Sequence, residues 1–333
     1  MDIIQAIILG IVEGITEYLP ISSTGHLILA QSWMGLQGEA NNAYTIVIQG
    51  GAILAVLGLY RKRVITMIKG FLGKHPEGLK LAINIIIAFI PAAILGPLFD
   101  NKIEALLFHP TPVVLALGVG GIVMLFAAKW QRSAFHEGTD SKSFIGIAHL
   151  TWKKALVIGL LQCVAMYPGT SRSMMTIVVG MAVGMKPKHA AEFSFLLGVP
   201  TLGAATVFKL FKNSDALATL DYTSMIVGIV VAFIAAAIAI KWFVAYLSKH
   251  GLALFGWYRI VLAIVFAIGL YSGYFTLGNN APNTSEDGVD TSSIPEPITF
   301  VYDHCPALPV ATHATPSTMT GPIADCQCPT LIS

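Results

Sequence analysis

Six apolar stretches, at about 42–60, 79–99, 113–128, 190–208, 223–247 and 252–277, approach or exceed the roughly 20 residues a helix needs to cross hydrocarbon at about 1.5 Å per residue. Inside a bilayer each backbone N–H and C=O must find its partner within the protein, so these stretches read as membrane-spanning helices. Composition agrees: 11% of residues are charged, against about 25% in an average soluble domain, and mean hydropathy is +0.72. The fold class that follows is an all-α integral membrane protein.

Two further segments, 1–36 and 152–185, are interrupted by Pro20 and by Pro168-Gly169. Each reads as a pair of half-helices that enters and leaves by the same face. The first has no basic leading region and carries Asp2, Glu13 and Glu17, so it belongs to the fold and not to a cleaved signal peptide. Treating both pairs as re-entrant gives an alternating topology that the charges test. The connections at 61–80, 129–154, 186–189 and 241–250 hold 15 Lys and Arg, and those at 100–112, 209–222 and 278–333 hold 3. That bias places the first set in the cytoplasm and both termini outside.

The broken segments also repeat one another. At an offset of 149, ILGIVEGITEY (8–18) lies over VIGLLQCVAMY (157–167), with Gly10 on Gly159, Glu13 on Gln162 and Tyr18 on Tyr167. The same offset sets YTIVIQ (44–49) over FSFLLG (193–198). Each unit is then one broken pair plus three crossings, and because three is odd the second copy enters the membrane upside down. The predicted architecture is an inverted-topology repeat with six transmembrane helices and two re-entrant helix-loop-helix segments. Repeat one is 1–128 and repeat two 152–277, within a membrane domain of 1–277. The two breaks should meet near the midplane, where non-helical backbone persists only if buried in protein or lining a cavity.

The chemistry is concentrated at those breaks. In EGITEYLPISSTGH (13–26), Glu13 and Glu17 are spaced i, i+4, so their carboxylates share a helix face about 5–6 Å apart at Cβ. One such group at mid-membrane costs about 2.5–3.5 kcal/mol, and a like-charged pair more. A divalent cation, Mg²⁺ or Ca²⁺, would offset the pair with hard oxygen ligands; basic side chains or an interfacial position are the alternatives. After Pro20, Ser22, Ser23 and Thr24 supply capping hydroxyls for the next half-helix, with His26 three residues beyond Ser23. Such a helix start binds anions. PGTSRS (168–173) repeats the device with Thr170, Ser171 and Ser173, and adds Arg172, whose guanidinium fork matches phosphate oxygens or pairs with a glutamate. Carboxylates for a cation, helix starts and an arginine for an anion, and a hydroxyl or imidazole nucleophile are what phosphoryl transfer requires. A lipid-tailed substrate explains why this set lies within the membrane. From another functional class, an inverted-repeat flippase or transporter would share the broken helices.

These two motifs resemble those of the bacitracin-resistance-type undecaprenyl-diphosphate phosphatases. The first matches the pattern E-G-x-T-E-[FY]-L-P-[IV]-S-S-T-G-H throughout, and the second matches P-G-x-S-R-S-G until Met174 replaces the last glycine. The resemblance covers about residues 1–276. It implies a bacterial inner-membrane enzyme with a site open to the extracytoplasmic side, which hydrolyses undecaprenyl diphosphate to the monophosphate and phosphate with a divalent cation, recycling the cell-wall lipid carrier. Carried over by position, Glu13 and Glu17 would bind metal and diphosphate, Arg172 would clamp the phosphates, and Ser23 and His26 would be the reactive pair. Ser23 as nucleophile with His26 as acid/base is the preferred assignment, and a histidine nucleophile the other. Ser22, Thr24, Thr170, Ser171 and Ser173 would contact phosphate. Expected partners are the lipid substrate and membrane lipid, with a homodimer allowed and no nucleic acid.

Gln49 and Glu192 are candidates to line the cavity, although a Gln in such a helix more commonly makes a packing hydrogen bond. Gly118, Gly120 and Gly121 favour close helix contact over nucleotide binding, since no strand precedes them. Residues 278–333 lack Lys and Arg, hold six acidic residues and many Pro, Thr and Ser, and are expected to be a disordered tail. Cys305, Cys326 and Cys328 there could form disulfides, and CQC is a weak zinc signal.

Overall fold

A computed structural model describes residues 2–36, 38–107, 110–136, 145–212 and 221–272. The expectations for the 278–333 tail and its three cysteines lie outside the described residues. Among the described residues there are eleven α-helices: α1 (Ile3–Thr16), α2 (Ser23–Trp33), α3 (Glu39–Leu59), α4 (Arg61–Phe71), α5 (Pro76–Leu107), α6 (Pro110–His136), α7 (Trp152–Gln162), α8 (Arg172–Ala182), α9 (Pro187–Lys212), α10 (Tyr222–His250) and α11 (Ala253–Tyr271). Short 3₁₀ turns cover Ile147–His149 and Cys163–Met166, and a single bridge joins Ile145 to Met185.

Six of these helices are long and apolar enough to cross a membrane: α3, α5, α6, α9, α10 and α11. They fall on the six apolar stretches read from the sequence, which makes this an all-helical, multi-pass membrane protein. The half-helices differ in length as expected. The 14 residues of α1 span about 21 Å at 1.5 Å per residue, against a hydrocarbon core of about 30 Å. Asp2, the acidic residue that opens α1, is tied down at its polar end. Its carboxylate accepts the Gln5 N–H at 2.7 Å while its own N–H reaches Gln5 Oε1 at 2.9 Å, a reciprocal cap that leaves fewer helix-end groups bare. Four basic residues, Arg61, Lys62, Arg63 and Lys69, ride on α4.

Packing follows an exchange between the two halves. The broken segment of each half lies against a long helix of the other: α1 on α10, and α7 on α5. In the same way α3 packs on α10 and α9 on α5, while α3 meets α9 and α6 meets α11. Small residues allow these approaches. A Cβ built on Gly10 or Gly14 would stand 2.8 Å from Gly228 O or 2.5 Å from Ala232 O, and one on Gly159 would overlap Ala88. Without a hydrophobic force between helices in lipid, such backbone proximity is a principal source of helix association. Gly121 likewise lies against Gly256, where an added Cβ would be 2.8 Å from the carbonyl oxygen, as the glycine run in α6 led us to expect. Gln49 accepts a hydrogen bond from Thr206 at 3.0 Å, joining α3 to α9 in the packing role. Glu192 receives Arg63 Nε at 2.8 Å, an ion pair between α4 and α9. A carboxylate this buried takes the nearest guanidinium, and the basic helix α4 presents one.

Candidate active site

Both breaks turn through a serine in a left-handed conformation. Among the described residues Ser22 (φ 72°) and Ser171 (φ 75°) are the non-glycine positions with positive φ. They are 149 residues apart, the offset at which the two broken segments align in sequence. Such a conformation costs about 1–3 kcal/mol and persists where surrounding structure holds it for function. Each serine is the N-cap residue of the half-helix that follows, α2 or α8.

The two caps then diverge. Ser171 Oγ accepts the Met174 N–H at 3.3 Å, as the sequence suggested. Ser22 makes no side-chain cap, contrary to the expectation of a hydroxyl-capped α2. One residue on, the Ser23 hydroxyl, in the first turn, donates to Glu17 Oε2 at 2.5 Å. The start of α2 therefore carries N–H donors that no side chain caps, beside a hydroxyl already aligned on a carboxylate.

Glu17 joins the halves. Its Oε1 accepts from Arg172 Nη2 at 3.1 Å across 155 residues of sequence, with side-chain exposures of 6% and 9%. Arg172 Nη1 donates to Ser194 O at 3.0 Å, its guanidinium carbon lies 5.4 Å from the Tyr18 ring centre, and its Nε is buried without a hydrogen-bond partner. A second seam runs through hydroxyls. Ser173 donates to Leu19 O at 2.8 Å, so the 3.0 Å contact between Ser171 and Ser173 has Ser171 as donor. Thr170 is buried and Thr24 half-buried, each beside its own break.

Glu13, one helical turn before Glu17, is 1% exposed and its Oε1 has no hydrogen-bond partner. A buried carboxylate oxygen left bare costs several kcal/mol unless a cation or donor meets it. The donor set is hard oxygen, which fits Mg²⁺ or Ca²⁺. No group of three or more His, Cys, Asp or Glu is gathered among the described residues, so two carboxylates would share the ion with substrate phosphates and water, the usual manner of Mg²⁺.

His26 and Ser23 have different hydrogen-bond partners. His26 Nδ1 is 2.8 Å from Ser22 O, a carbonyl that can only accept, so Nδ1 carries a proton and, in the neutral ring, Nε2 holds the lone pair. Tyr258 O–H donates to that Nε2 at 2.6 Å, with the two rings parallel within 3°. Nitrogen NMR of histidine-labelled protein should accordingly show His26 with Nδ1 protonated and Nε2 bare; a protonated Nε2 would contradict this arrangement. The structure thus brings together Glu13, Glu17, Ser23, Arg172 and the 171–173 hydroxyls, and holds His26 beside them through Ser22 and Tyr258. Sequence reasoning missed Tyr258, Ser194, Gly198 and Arg259. A Cβ on Gly198 would lie 2.7–3.0 Å from the Arg172 guanidinium, a proximity that has no local sequence signature.

These features define a class: a six-span helical membrane protein whose buried acid, hydroxyl and guanidinium groups converge where two helices break. The chain belongs to the bacitracin resistance protein BacA family, whose model matches residues 6–265. It is similar to an undecaprenyl-diphosphatase of Sorangium cellulosum, 47% identical over 260 residues, 78% of this chain and 83% of that protein. Proteins of the same name from Acinetobacter baumannii and Nitrosomonas europaea are each 45% identical, over 267 residues (80% of this chain, 95% of that one) and 271 residues (81% and 96%).

Proposed function

We infer that this chain hydrolyses undecaprenyl diphosphate to undecaprenyl phosphate and inorganic phosphate, and so returns the cell-wall lipid carrier to use. The observation that carries the chemistry is the Ser23–Glu17–Arg172 chain, with its contacts of 2.5 and 3.1 Å. The relatives' names favour the hydrolase over the flippase or transporter reading.

In this reading the diphosphate takes Arg172 from Glu17, and the freed carboxylate accepts the Ser23 proton. Ser23 Oγ attacks the terminal phosphorus, the bridging P–O bond breaks, and undecaprenyl phosphate departs with that bond's electron pair. Water then attacks the phosphoserine, giving its proton to the lone pair on His26 Nε2 once Tyr258 turns aside, while Glu17 returns its proton to Ser23. This keeps His26 as acid/base but assigns Ser23's activation to Glu17, whose carboxylate accepts its proton. Arg172, the α2 start and the hydroxyls of Thr24, Thr170, Ser171 and Ser173 stabilise the phosphate oxygens. Glu13 and Glu17 would hold a divalent cation, which supplies charge neutralisation on the phosphates.

The exchanged packing of the halves and the paired serines at an offset of 149 support the inverted repeat and the re-entrant form of the broken segments. The charge bias supports both termini lying outside, and the family resemblance is what supports a site reached from the extracytoplasmic side of the plasma membrane. The test is phosphate release from the diphosphate lipid by purified protein in detergent. Release is expected, falling about tenfold or more with a chelator and returning with Mg²⁺ or Ca²⁺. A chain that yields no phosphate with either ion would overturn the hydrolase reading, and undiminished release under chelation would remove the cation from it.

A further inference from the structure

Resting on the hydrolase reading, we infer that Arg259 is a positioning residue for the reaction, holding the two helix breaks in the relative register that lets Glu17 and Ser23 of one meet Arg172 of the other. Arg259 is fully buried in α11. Each of its hydrogen bonds goes to a main-chain carbonyl. Nη1 donates to Pro20 O at 3.3 Å and Nη2 to Gly169 O at 2.8 Å, which are the two break points themselves. Nε donates to Leu117 O at 3.3 Å, and Nη2 also to Ala116 O at 2.9 Å, fixing the same fork to α6.

Four carbonyls on three separate elements thus share one planar cation. Backbone at a break has lost its helical partners and must find others inside the membrane. A single guanidinium satisfies one carbonyl from each break and, being rigid and planar, also sets the distance between them. Lysine cannot do this, because its single ammonium has no fork. No carboxylate lies within ion-pair distance of Arg259 among the described residues. The arginine is therefore not half of a neutral pair, and what it binds is backbone geometry.

Room for the fork is also built in. A Cβ on Gly120 of α6 would collide with Arg259 Nη2, lie 2.8 Å from Cζ and reach 3.0 Å from Met174 Sδ. Gly120→Ala therefore displaces the guanidinium without altering any group placed on the substrate, in a helix where alanine is otherwise the better former.

The experiment compares Gly120→Ala, Arg259→Lys and the double variant in detergent, measuring melting temperature, kcat and KM for the diphosphate lipid. Expected is a fall in kcat of about 10- to 100-fold for each single variant, since about 1 Å of misplacement is enough for such a loss, with KM changed less than about threefold. The double variant should match Arg259→Lys within about twofold, because the added methyl then has no fork to push. A merely structural role would lower the melting temperature and the active fraction but leave kcat per folded molecule unchanged. If Arg259→Lys does not fold, Gly120→Ala decides alone. Unchanged kcat in folded Gly120→Ala overturns the inference while the hydrolase reading stands; an unmodified chain that releases no phosphate overturns both.

Discussion

Glu17→Gln is expected to lower kcat for phosphate release by about 10³-fold or more, the largest effect of any single change in the site. The carboxylate has two engaged oxygens, one receiving Ser23 and the other Arg172. An amide has one acceptor and one donor end, so it can keep either contact but not both. If the carbonyl stays with Ser23, the NH₂ group is turned on the guanidinium; if it stays with Arg172, Ser23 loses its acceptor. In both cases the base is gone. Breaking a buried pair by removing one partner typically destabilises by about 3–5 kcal/mol, and here the neighbouring Glu13 carboxylate can take up part of that cation, so melting should fall by less than the lost activity implies. Glu17→Asp retains the charge with a shorter reach and should recover part of the rate. A Glu17→Gln protein that melts normally and keeps more than a tenth of wild-type kcat would mean that Ser23 is activated by something else.

The readable part of this site was the part written in local chemistry. Glu13, Glu17, Ser23 and Arg172 are polar residues in apolar surroundings, and their cost within a membrane makes them conspicuous. The broken segments were legible because proline and glycine interrupt runs too short to cross alone, and the six spans because length and apolarity are nearly sufficient evidence for a helix in lipid. Residues whose role depends on what lies opposite were not legible. Ser22 looks like a cap yet makes none, and the next hydroxyl, Ser23, is turned to Glu17 six residues back. Glu192 is a carboxylate within a span whose partner, Arg63 of α4, is 129 residues away in the chain. For Arg259 a signal did exist. Of the 20 Lys and Arg, 18 fall in the connections whose charge bias orients the protein, and the two that do not are Arg172 and Arg259. An arginine eight residues into a span is as anomalous as one beside a proline break, and only its lack of a surrounding motif concealed it.

Arg172→Lys is the second change expected to have a large effect, about 10²- to 10³-fold in kcat, and Gly198→Ala should reproduce much of it without touching the arginine. Lysine keeps the charge but cannot hold Ser194 O and Glu17 at once in the plane that the fork defines. Gly198 is where α9 makes space for that plane: an alanine Cβ would stand 2.7 Å from Nη1, 2.9 Å from Nη2 and 3.0 Å from Cζ. The side chain cannot retreat freely, because the Tyr18 ring stacks on it and Ser194, bonded at 2.6 Å to Thr176, fixes the opposite wall. Displacement would therefore lengthen the contact to Glu17 and shift the site that receives the phosphate. Because both substitutions act on one guanidinium, the double variant should lose little beyond the worse of the two, whereas independent sites would multiply their losses. Measured kcat/KM for the four proteins decides between these outcomes. Full activity in folded Gly198→Ala would show that the guanidinium can move without loss, and the clamp assigned to Arg172 would then have to be abandoned.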